Sequence, residues 1–329
     1  PRSLLQPPRN PVARARGPGA DVHGHGSAAV APEALIEARA RLTGSYAGNR
    51  SGGWGESLET MLERYVGFAP DRFRILANVD FSEIDEPGFG EKWARALEAA
   101  HARGAAGLKI FKSLGLTIKD KTGAVVRIDD PRLDPIWAKC GELGMPVLIH
   151  SADPLAFFGP IDRHNERLMQ LGRHPDWSFY GPEFPDREEV LAQRNRVLAR
   201  HPGTTFIGAH MGGNAEDLAA LGPVLDRYPN LVVDLCGRVA ELGRQPYTAR
   251  RFFLKYADRI LFGTDRYPGR TSQPRYRPYF RFLETDDEYF EYHEHDFPPT
   301  GEWRIHGIFL PDDVLERVYH LNADKIFRP

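Results

Sequence analysis

Four short segments of this chain place a histidine or an aspartate at the end of an apolar run, and these polar residues are His23 with His25, His150, His210 and Asp265. If each run is a strand of a parallel sheet, the polar side chains gather at the carboxyl end of that sheet. Side chains two residues apart on a strand share a face, so His23 and His25 can point together at one ion. Imidazole and carboxylate groups suit zinc and its first-row neighbours, and an open coordination position makes a bound water nucleophilic near neutral pH. The segments therefore predict a metal site.

The rest of the chain alternates apolar, β-branched segments with helix-like ones. Strands are predicted at 73–80, 106–111, 146–150, 204–210, 231–235 and 259–263, with helical patterns between them. A strand before His23 is a seventh candidate, and an eighth is expected between residues 35 and 63, where the signal is poor. Strands joined by helical crossovers predict a parallel sheet, and this number favours closure into a distorted (β/α)8 TIM barrel. The rival, an open doubly wound sheet, would separate His25 from Asp265 unless their strands adjoined.

Length and composition indicate one folded domain. The 329 residues exceed the roughly 250 of a typical eight-stranded barrel, and no linker divides residues 21–329, which we expect to end in a C-terminal helical extension. Residues 1–20 hold five prolines and four arginines, which predicts a flexible N-terminal arm.

The charge balance and the apolar runs exclude several classes of partner. A net charge of −2 indicates neither a nucleic-acid nor a membrane surface, and no run of eighteen apolar residues occurs. Two cysteines without CxxC spacing exclude a structural zinc knuckle. Because the chain starts without an initiator Met or an apolar signal segment, its compartment stays open, and a soluble, cytoplasmic protein is favoured over a periplasmic or secreted one.

Taken together, these motifs resemble the amidohydrolase superfamily. The Asp-x-His-x-His opening at 21–25, the histidines after the fifth and sixth strands and the Gly-Thr-Asp at 263–265 are similar to its amidohydrolase-related branch, which contains aminocarboxymuconate-semialdehyde decarboxylase. The segment 310–326, with its Asn322-Ala323 pair, is similar to the closing helix of that branch. The resemblance therefore runs from about residue 21 to the end of the chain.

The resemblance implies a distorted βα barrel with one catalytic divalent metal ion, for which zinc is the first choice and manganese or another first-row metal the alternative. The implied ligands are His23, His25, His150 and Asp265. His210 is implied to lie beside the ion as an acid, a base or a polarising group, although binuclear relatives use the histidine at this position as a ligand.

Four further residues are predicted to contact the substrate. Lys109 lies at the end of the fourth strand, where some binuclear relatives carry a carboxylated bridging lysine; binding an anionic substrate, carbamylation and a structural salt bridge all stay open for it. The long loops after the fifth and eighth strands supply Phe158, Arg163 and Arg266. Such residues suit an aromatic or carboxylated small molecule.

Several polar residues receive a structural or peripheral role instead. Asp80 and Asp234, at strand ends, are expected to cap helices or to support the ligand histidines. The second His-x-His pair, His293 and His295, lies in an acidic, aromatic stretch and is expected on the surface or in a lid.

The function predicted first is a metal-dependent hydrolase of an ester, lactone or amide bond, with Asp265 taking the proton of a metal-activated water and His210 stabilising the oxyanion. The first alternative is a metal-dependent, non-oxidative decarboxylase of an aromatic or enoic acid. The second alternative is a catalytically inactive ligand-binding barrel. The expected partner is a small-molecule substrate, and a homodimer is a further expectation from the relatives.

Overall fold

A computed structural model describes residues 58–265, 276–293 and 299–327. Six parallel strands form one sheet in the order β1 to β6. Their bounds are β1 Leu76–Ala77, β2 Gly107–Ile110, β3 Val147–Ile149, β4 Phe206–Gly208, β5 Leu231–Asp234 and β6 Ile260–Leu261. Among these described strands each one pairs with its neighbour in sequence. A doubly wound sheet would reverse its strand order at a switch point, so this order is that of a barrel.

Helices and helical turns supply the crossovers that parallel strands require. The helices of the described ranges are α1 Leu58–Met61, α2 Phe89–Ala102, α3 Asp134–Glu142, α4 Leu168–Leu171, α5 Arg187–Arg200, α6 Leu218–Arg227, α7 Val239–Leu242, α8 Pro246–Lys255, α9 Arg277–Glu284, α10 Asp312–Glu316 and α11 Asn322–Ile326. Between β4 and α6, the turn Ala209–Gly212 departs from helical geometry. None of the helices in these ranges is long and apolar enough to cross a membrane.

Each of the six predicted strands within the described residues is found, although each is shorter than predicted. The expected strand before His23 lies outside the described residues, as do residues 35–57 of the segment expected to hold the eighth strand. The remainder of that segment is helical, from Leu58 onwards. The predicted arm at 1–20 also lies outside the described residues.

Side chains of alternate strand residues face the barrel interior. The register aligns Lys109 with Leu148, Leu148 with Ile207, and Ile207 with Val232. Ile207 and Val232 belong to a small apolar cluster that Phe327 completes. Lys109 therefore belongs to the same inward-facing row, because residues aligned on parallel strands share a face.

The C-terminal segment packs against the last described strand. Asn322 donates from Nδ2 to the carbonyl oxygens of Ala257 and Ile260, at 2.8 and 2.9 Å. Phe262 donates its backbone N–H to Val318 at 2.9 Å. These bonds satisfy the carbonyls of Ala257, Ile260 and Val318 and tie β6, which leads to Asp265, to the C-terminal segment.

Candidate active site

Residues that follow three of the strands adopt a left-handed backbone. Ala152 follows β3, His210 and Met211 follow β4, and Asp265 follows β6, with φ values of 62°, 59°, 57° and 56°. Such a backbone costs a residue with a side chain roughly 1–2 kcal/mol, so it persists only where the surroundings hold it in place. The strain is therefore concentrated at the carboxyl end of the sheet, where barrel enzymes place their active sites.

The His210 ring is held in one tautomer. Its Nδ1 lies 2.6 Å from the carbonyl oxygen of Cys236, which can only accept, so Nδ1 carries the hydrogen and Nε2 the lone pair. The backbone N–H of His210 donates to Asp234 at 2.8 Å. Burial, followed by the positive charge of Arg238, holds the pKa of His210 well below its usual 6.5. His210 is therefore a neutral imidazole that offers Nε2 as a ligand or proton acceptor.

His150 lies beside His210. Their ring centroids are 4.4 Å apart, and Nε2 of His150 lies 3.3 Å from Oδ1 of Asp153. Burial lowers the pKa of His150, although the hydrogen bond to Asp153 opposes that shift. Burial would raise the pKa of Asp153, but the hydrogen bond from His150 and the charge of Lys112 outweigh it and lower that pKa. When Asp153 accepts the proton of Nε2, Nδ1 of His150 carries the free lone pair.

Asp265 and Lys109 complete the described part of the cluster. A Cβ atom on Gly237 would lie 3.9 Å from Nδ1 of His210 and 4.0 Å from Cβ of Asp265, so Gly237 borders both residues. Burial lowers the pKa of Lys109, partly offset by the negative charges of Asp234 and Asp265. Its Nζ lies 5.3 Å from the ring centroid of Phe111. The strand ends thus bring Lys109, His210 and Asp265 into one neighbourhood.

A cavity of about 650 Å³ opens above this cluster. Its lining includes residues from the loops that follow the five strands β2 to β6 and from the segment around α9, namely Lys112, Asp153, Phe157, Arg167, Gln170, Trp177, His210, Gly237, Arg238, Val239, Ala240, Thr264, Asp265, Pro278, Tyr279, Tyr292, His293, Pro299 and Thr300. His293 is thus part of the cavity wall, whereas Asp80 caps a short helical turn by accepting from the N–H of Ser82.

The predicted substrate contacts lie largely off this wall. Lys109 belongs to the inward-facing barrel row and is not part of the described cavity wall. The side chain of Phe158 packs on Phe179, with ring centroids 5.5 Å apart. Arg163 is exposed and donates to His164. Arg266 lies outside the described residues.

Sequence reasoning missed the cations and carboxylate of the cavity wall. Lys112, Asp153 and Arg238 each lie two to four residues beyond the end of a strand. Their position shortly after the end of a strand is the sequence signal that could have identified these three residues. The loops there carry no periodic pattern, so this signal does not separate wall residues from exposed ones.

The comparison with known families decides the identity of the chain. A family model described as amidohydrolase matches residues 22–328. The chain belongs to the amidohydrolase family. A search of curated proteins finds no match.

Solved structures share the barrel fold of this amidohydrolase. An uncharacterised TIM-barrel protein from Bordetella bronchiseptica is 18% identical, with a TM-score of 0.50 over 90% of this chain and 82% of that one. A dihydroxybenzoic acid decarboxylase from Polaromonas sp. JS666, with bound manganese and the inhibitor 2-nitroresorcinol, is 16% identical, with a TM-score of 0.50 over 82% and 73%. A 2,6-dihydroxybenzoate decarboxylase from Rhizobium is 19% identical, with a TM-score of 0.49 over 82% and 75%. At these identities the likeness to the first two structures, each with a TM-score of 0.50, concerns the fold alone, which is that of a (β/α)8 barrel.

The donor groups of the amidohydrolase suit a divalent metal ion, although the described residues hold only part of the predicted ligand set. His23 and His25 lie outside those residues. Within 58–265, 276–293 and 299–327, no three histidine, cysteine, aspartate or glutamate residues lie close enough to hold an ion by themselves. Neutral His150 and the carboxylate of Asp265 nevertheless offer the nitrogen and oxygen donors that first-row divalent metals bind.

Proposed function

We propose that this amidohydrolase is a metal-dependent, non-oxidative decarboxylase of a small aromatic carboxylic acid. The observation that carries the proposal is the cavity wall, in which aromatic rings and cations surround the opening towards His210 and Asp265. The aromatic part of the wall consists of Phe157, Trp177, Tyr279 and Tyr292. Rings of this kind stack on a planar substrate, and cations stabilise its carboxylate.

Two further observations favour decarboxylation over the hydrolysis that the sequence placed first. Lys109, which lies where some binuclear relatives carry a bridging lysine, belongs to the inward-facing barrel row and is not among the described residues of the cavity wall. In addition, the Polaromonas structure that shares this fold is a decarboxylase with bound manganese. That protein makes manganese as suitable a candidate as zinc, because both ions accept imidazole and carboxylate ligands.

The residues that would hold the ion are His23, His25, His150 and Asp265. When bound, the ion supplies a Lewis acid that polarises oxygen atoms of the substrate. Asp153 orients the His150 ring through Nε2, as carboxylates commonly do for ligand histidines.

Proton transfer falls to Asp265 in this proposal. Loss of CO₂ leaves the electron pair of the broken C–C bond on the ring carbon, and one proton must replace the carboxylate there. His210 is a poor donor, because its N–H is committed to Cys236 and its pKa is depressed. The carboxyl group of Asp265, once protonated by the substrate or solvent, delivers the proton, while Nε2 of His210 accepts a hydrogen bond from a substrate hydroxyl group.

The test is incubation of the manganese-loaded enzyme with a panel of aromatic acids in deuterated water. We expect CO₂ release with one deuterium on the ring carbon, and we expect Asp265→Asn to fold normally but to lower turnover by several orders of magnitude. Circular dichroism and thermal unfolding check the fold of that variant.

Hydrolysis remains the second candidate, because Asp265 and neutral His210 can also accept the proton of a water molecule. Turnover of an ester, lactone or amide without any CO₂ release would replace the decarboxylase by a hydrolase. Binding of the aromatic acids without turnover of any compound would favour the inactive barrel.

A further inference from the structure

Among the described residues, the cavity is lined by three cations, Lys112, Arg167 and Arg238, and two of these have a close carboxylate partner. Arg167 pairs with Glu241, and both side chains are 1% exposed. Lys112 pairs with Asp153, whose side chain is also buried. These two pairs are neutral as units, so they add little net charge to the cavity.

Arg238 is the third cation, and its charge is not balanced in this way. Its only ion pair among the described residues is to Oδ1 of Asp153, at the long distance of 4.0 Å. Asp153 already accepts from His150 and Lys112. The Arg238 side chain is 13% exposed, and the residue lines the cavity. A desolvated guanidinium favours a bound anion, and its planar fork matches a carboxylate.

The loop after β5 fixes Arg238 close to the reacting groups. Its backbone N–H donates to Leu235 at 3.1 Å, and Nη1 donates to the carbonyl of Gly237 at 3.0 Å. Gly237 in turn borders both His210 and Asp265. Arg238 thus follows directly after the residue that borders His210 and Asp265, and all three of Arg238, His210 and Asp265 line the same cavity.

We propose that Arg238 binds an acidic substituent that the reaction leaves in place, so that the substrate is an aromatic acid with a second anionic group. This inference rests on the proposed decarboxylation. During that reaction negative charge leaves the departing carboxylate for the ring. A cation on the departing group would stabilise the ground state more than the transition state and slow the reaction. A cation on a retained group instead orients the ring without this penalty.

The experiment compares two inert probes, isophthalate and benzoate, which differ by one carboxylate. Their binding to the manganese-loaded protein is measured by calorimetry for the wild type, Arg238→Met, Arg238→Lys and Arg251→Met. Arg251 is the matched control, because it is an exposed arginine on α8 outside the cavity. We expect the wild type to prefer isophthalate, and Arg238→Met to weaken isophthalate binding by at least about tenfold, since truncation of one partner of a desolvated charge pair is costly.

The same series separates this role from a structural one. We expect benzoate binding to change little in Arg238→Met, and Arg238→Lys to recover part of the isophthalate preference. A wild type without that preference, or an equal loss for both probes in Arg238→Met and Arg238→Lys, overturns the proposal. A variant that fails to fold leaves the wild-type preference and Arg238→Lys to decide.

The two proposals fail in distinguishable ways. If Arg238 controls the isophthalate preference but no aromatic acid releases CO₂, the anion site stands and the decarboxylase does not. If CO₂ is released and Arg238→Met lowers kcat/KM equally for monoacids and diacids, the decarboxylase stands and the anion site does not.

Discussion

At the scale of single residues, His210 combines a strained backbone with a buried, uncharged ring. Its φ of 59° turns the ring from the end of β4 towards the loop after β5, where the Cys236 carbonyl accepts a hydrogen bond from Nδ1–H. Only 6% of the residue is exposed, so burial of the charged, protonated ring would be energetically unfavourable. The folded state thus keeps this ring neutral at pH values below 6.5, where the histidine of an unfolded chain is protonated.

This difference predicts how stability depends on pH in the metal-free protein. Below about pH 6.5 the unfolded histidine binds a proton that folded His210 does not bind, so the unfolded state gains protons and stability falls as the pH falls. The loss approaches about 1.4 kcal/mol per pH unit for one such histidine until its depressed pKa is reached. Urea unfolding between pH 8 and 5 measures it.

The control for this prediction is a pair of variants. His210→Asn keeps a donor for the Cys236 carbonyl and should have a shallower dependence on pH, with His150 supplying the remainder. His101→Asn, at an exposed position on α2, should follow the wild type. Equal slopes for His210→Asn and the wild type would show that folding does not lower the pKa of His210.

At the scale of elements, α5 holds the left-handed turn that carries His210. Arg194 donates to the carbonyl of Gly212 and Arg187 to that of Gly213. Both carbonyls belong to the left-handed run that begins at His210. Arg187 also donates to the carbonyl of Asp153, so α5 joins the loops after β3 and β4.

Arg194→Met is therefore predicted to change the position and hydrogen bond of the His210 ring while it changes the free energy of unfolding only a little. Loss of the hydrogen bond leaves the Gly212 carbonyl unpaired, at about 1–3 kcal/mol. Burial of the charged guanidinium is itself unfavourable and lowers the pKa of Arg194 to about 10. Removing that buried charge therefore offsets part of the stability that the broken hydrogen bond costs. We expect unfolding free energies within about 2 kcal/mol of the wild type, but a lost or shifted Nδ1–H resonance of His210 in ¹⁵N NMR spectra.

A matched substitution lies on the same helix. Arg196 is 44% exposed and bonds Asp129 and Glu189, so Arg196→Met should change stability by less than about 1 kcal/mol and leave the resonance in place. An unchanged resonance in Arg194→Met would remove the positioning role from Arg194.

The elements also show what the sequence could predict. The positions of the strands could be predicted from apolar runs that alternate with helical patterns, because the spacing of apolar residues reflects which side chains are buried. Strand lengths did not, since the run 73–80 contains polar Asn78 and Asp80 and only Leu76–Ala77 joins the ladder. The neighbourhood of His150, His210 and Asp265 followed from their strand ends. The place of Arg238 beside Asp153 could not be predicted, because it depends on the conformations of two loops, including left-handed Ala152.

At the scale of the whole molecule, the predicted metal ion joins distant parts of the chain. His23 and His25 precede every described element, whereas Asp265 follows β6. A ligand set drawn from both ends of a barrel stabilises the folded state, because the unfolded chain does not hold those groups together. The ion should therefore affect the stability of the domain as well as its chemistry.

We predict about one divalent ion per chain, and a melting temperature that falls on chelation and recovers when manganese or zinc is returned. The double variant His23→Ala/His25→Ala should contain little metal, and its melting temperature should not respond to the chelator. The second His-x-His pair provides the control, since His293→Ala/His295→Ala removes the same two side chains from another segment and should keep its metal. Elemental analysis and calorimetry measure both quantities. Full metal content in the first variant and loss of metal in the second would show that residues 293 and 295, and not 23 and 25, are ligands. Two ions per chain would instead require a bridging ligand, for which Lys109 is the candidate.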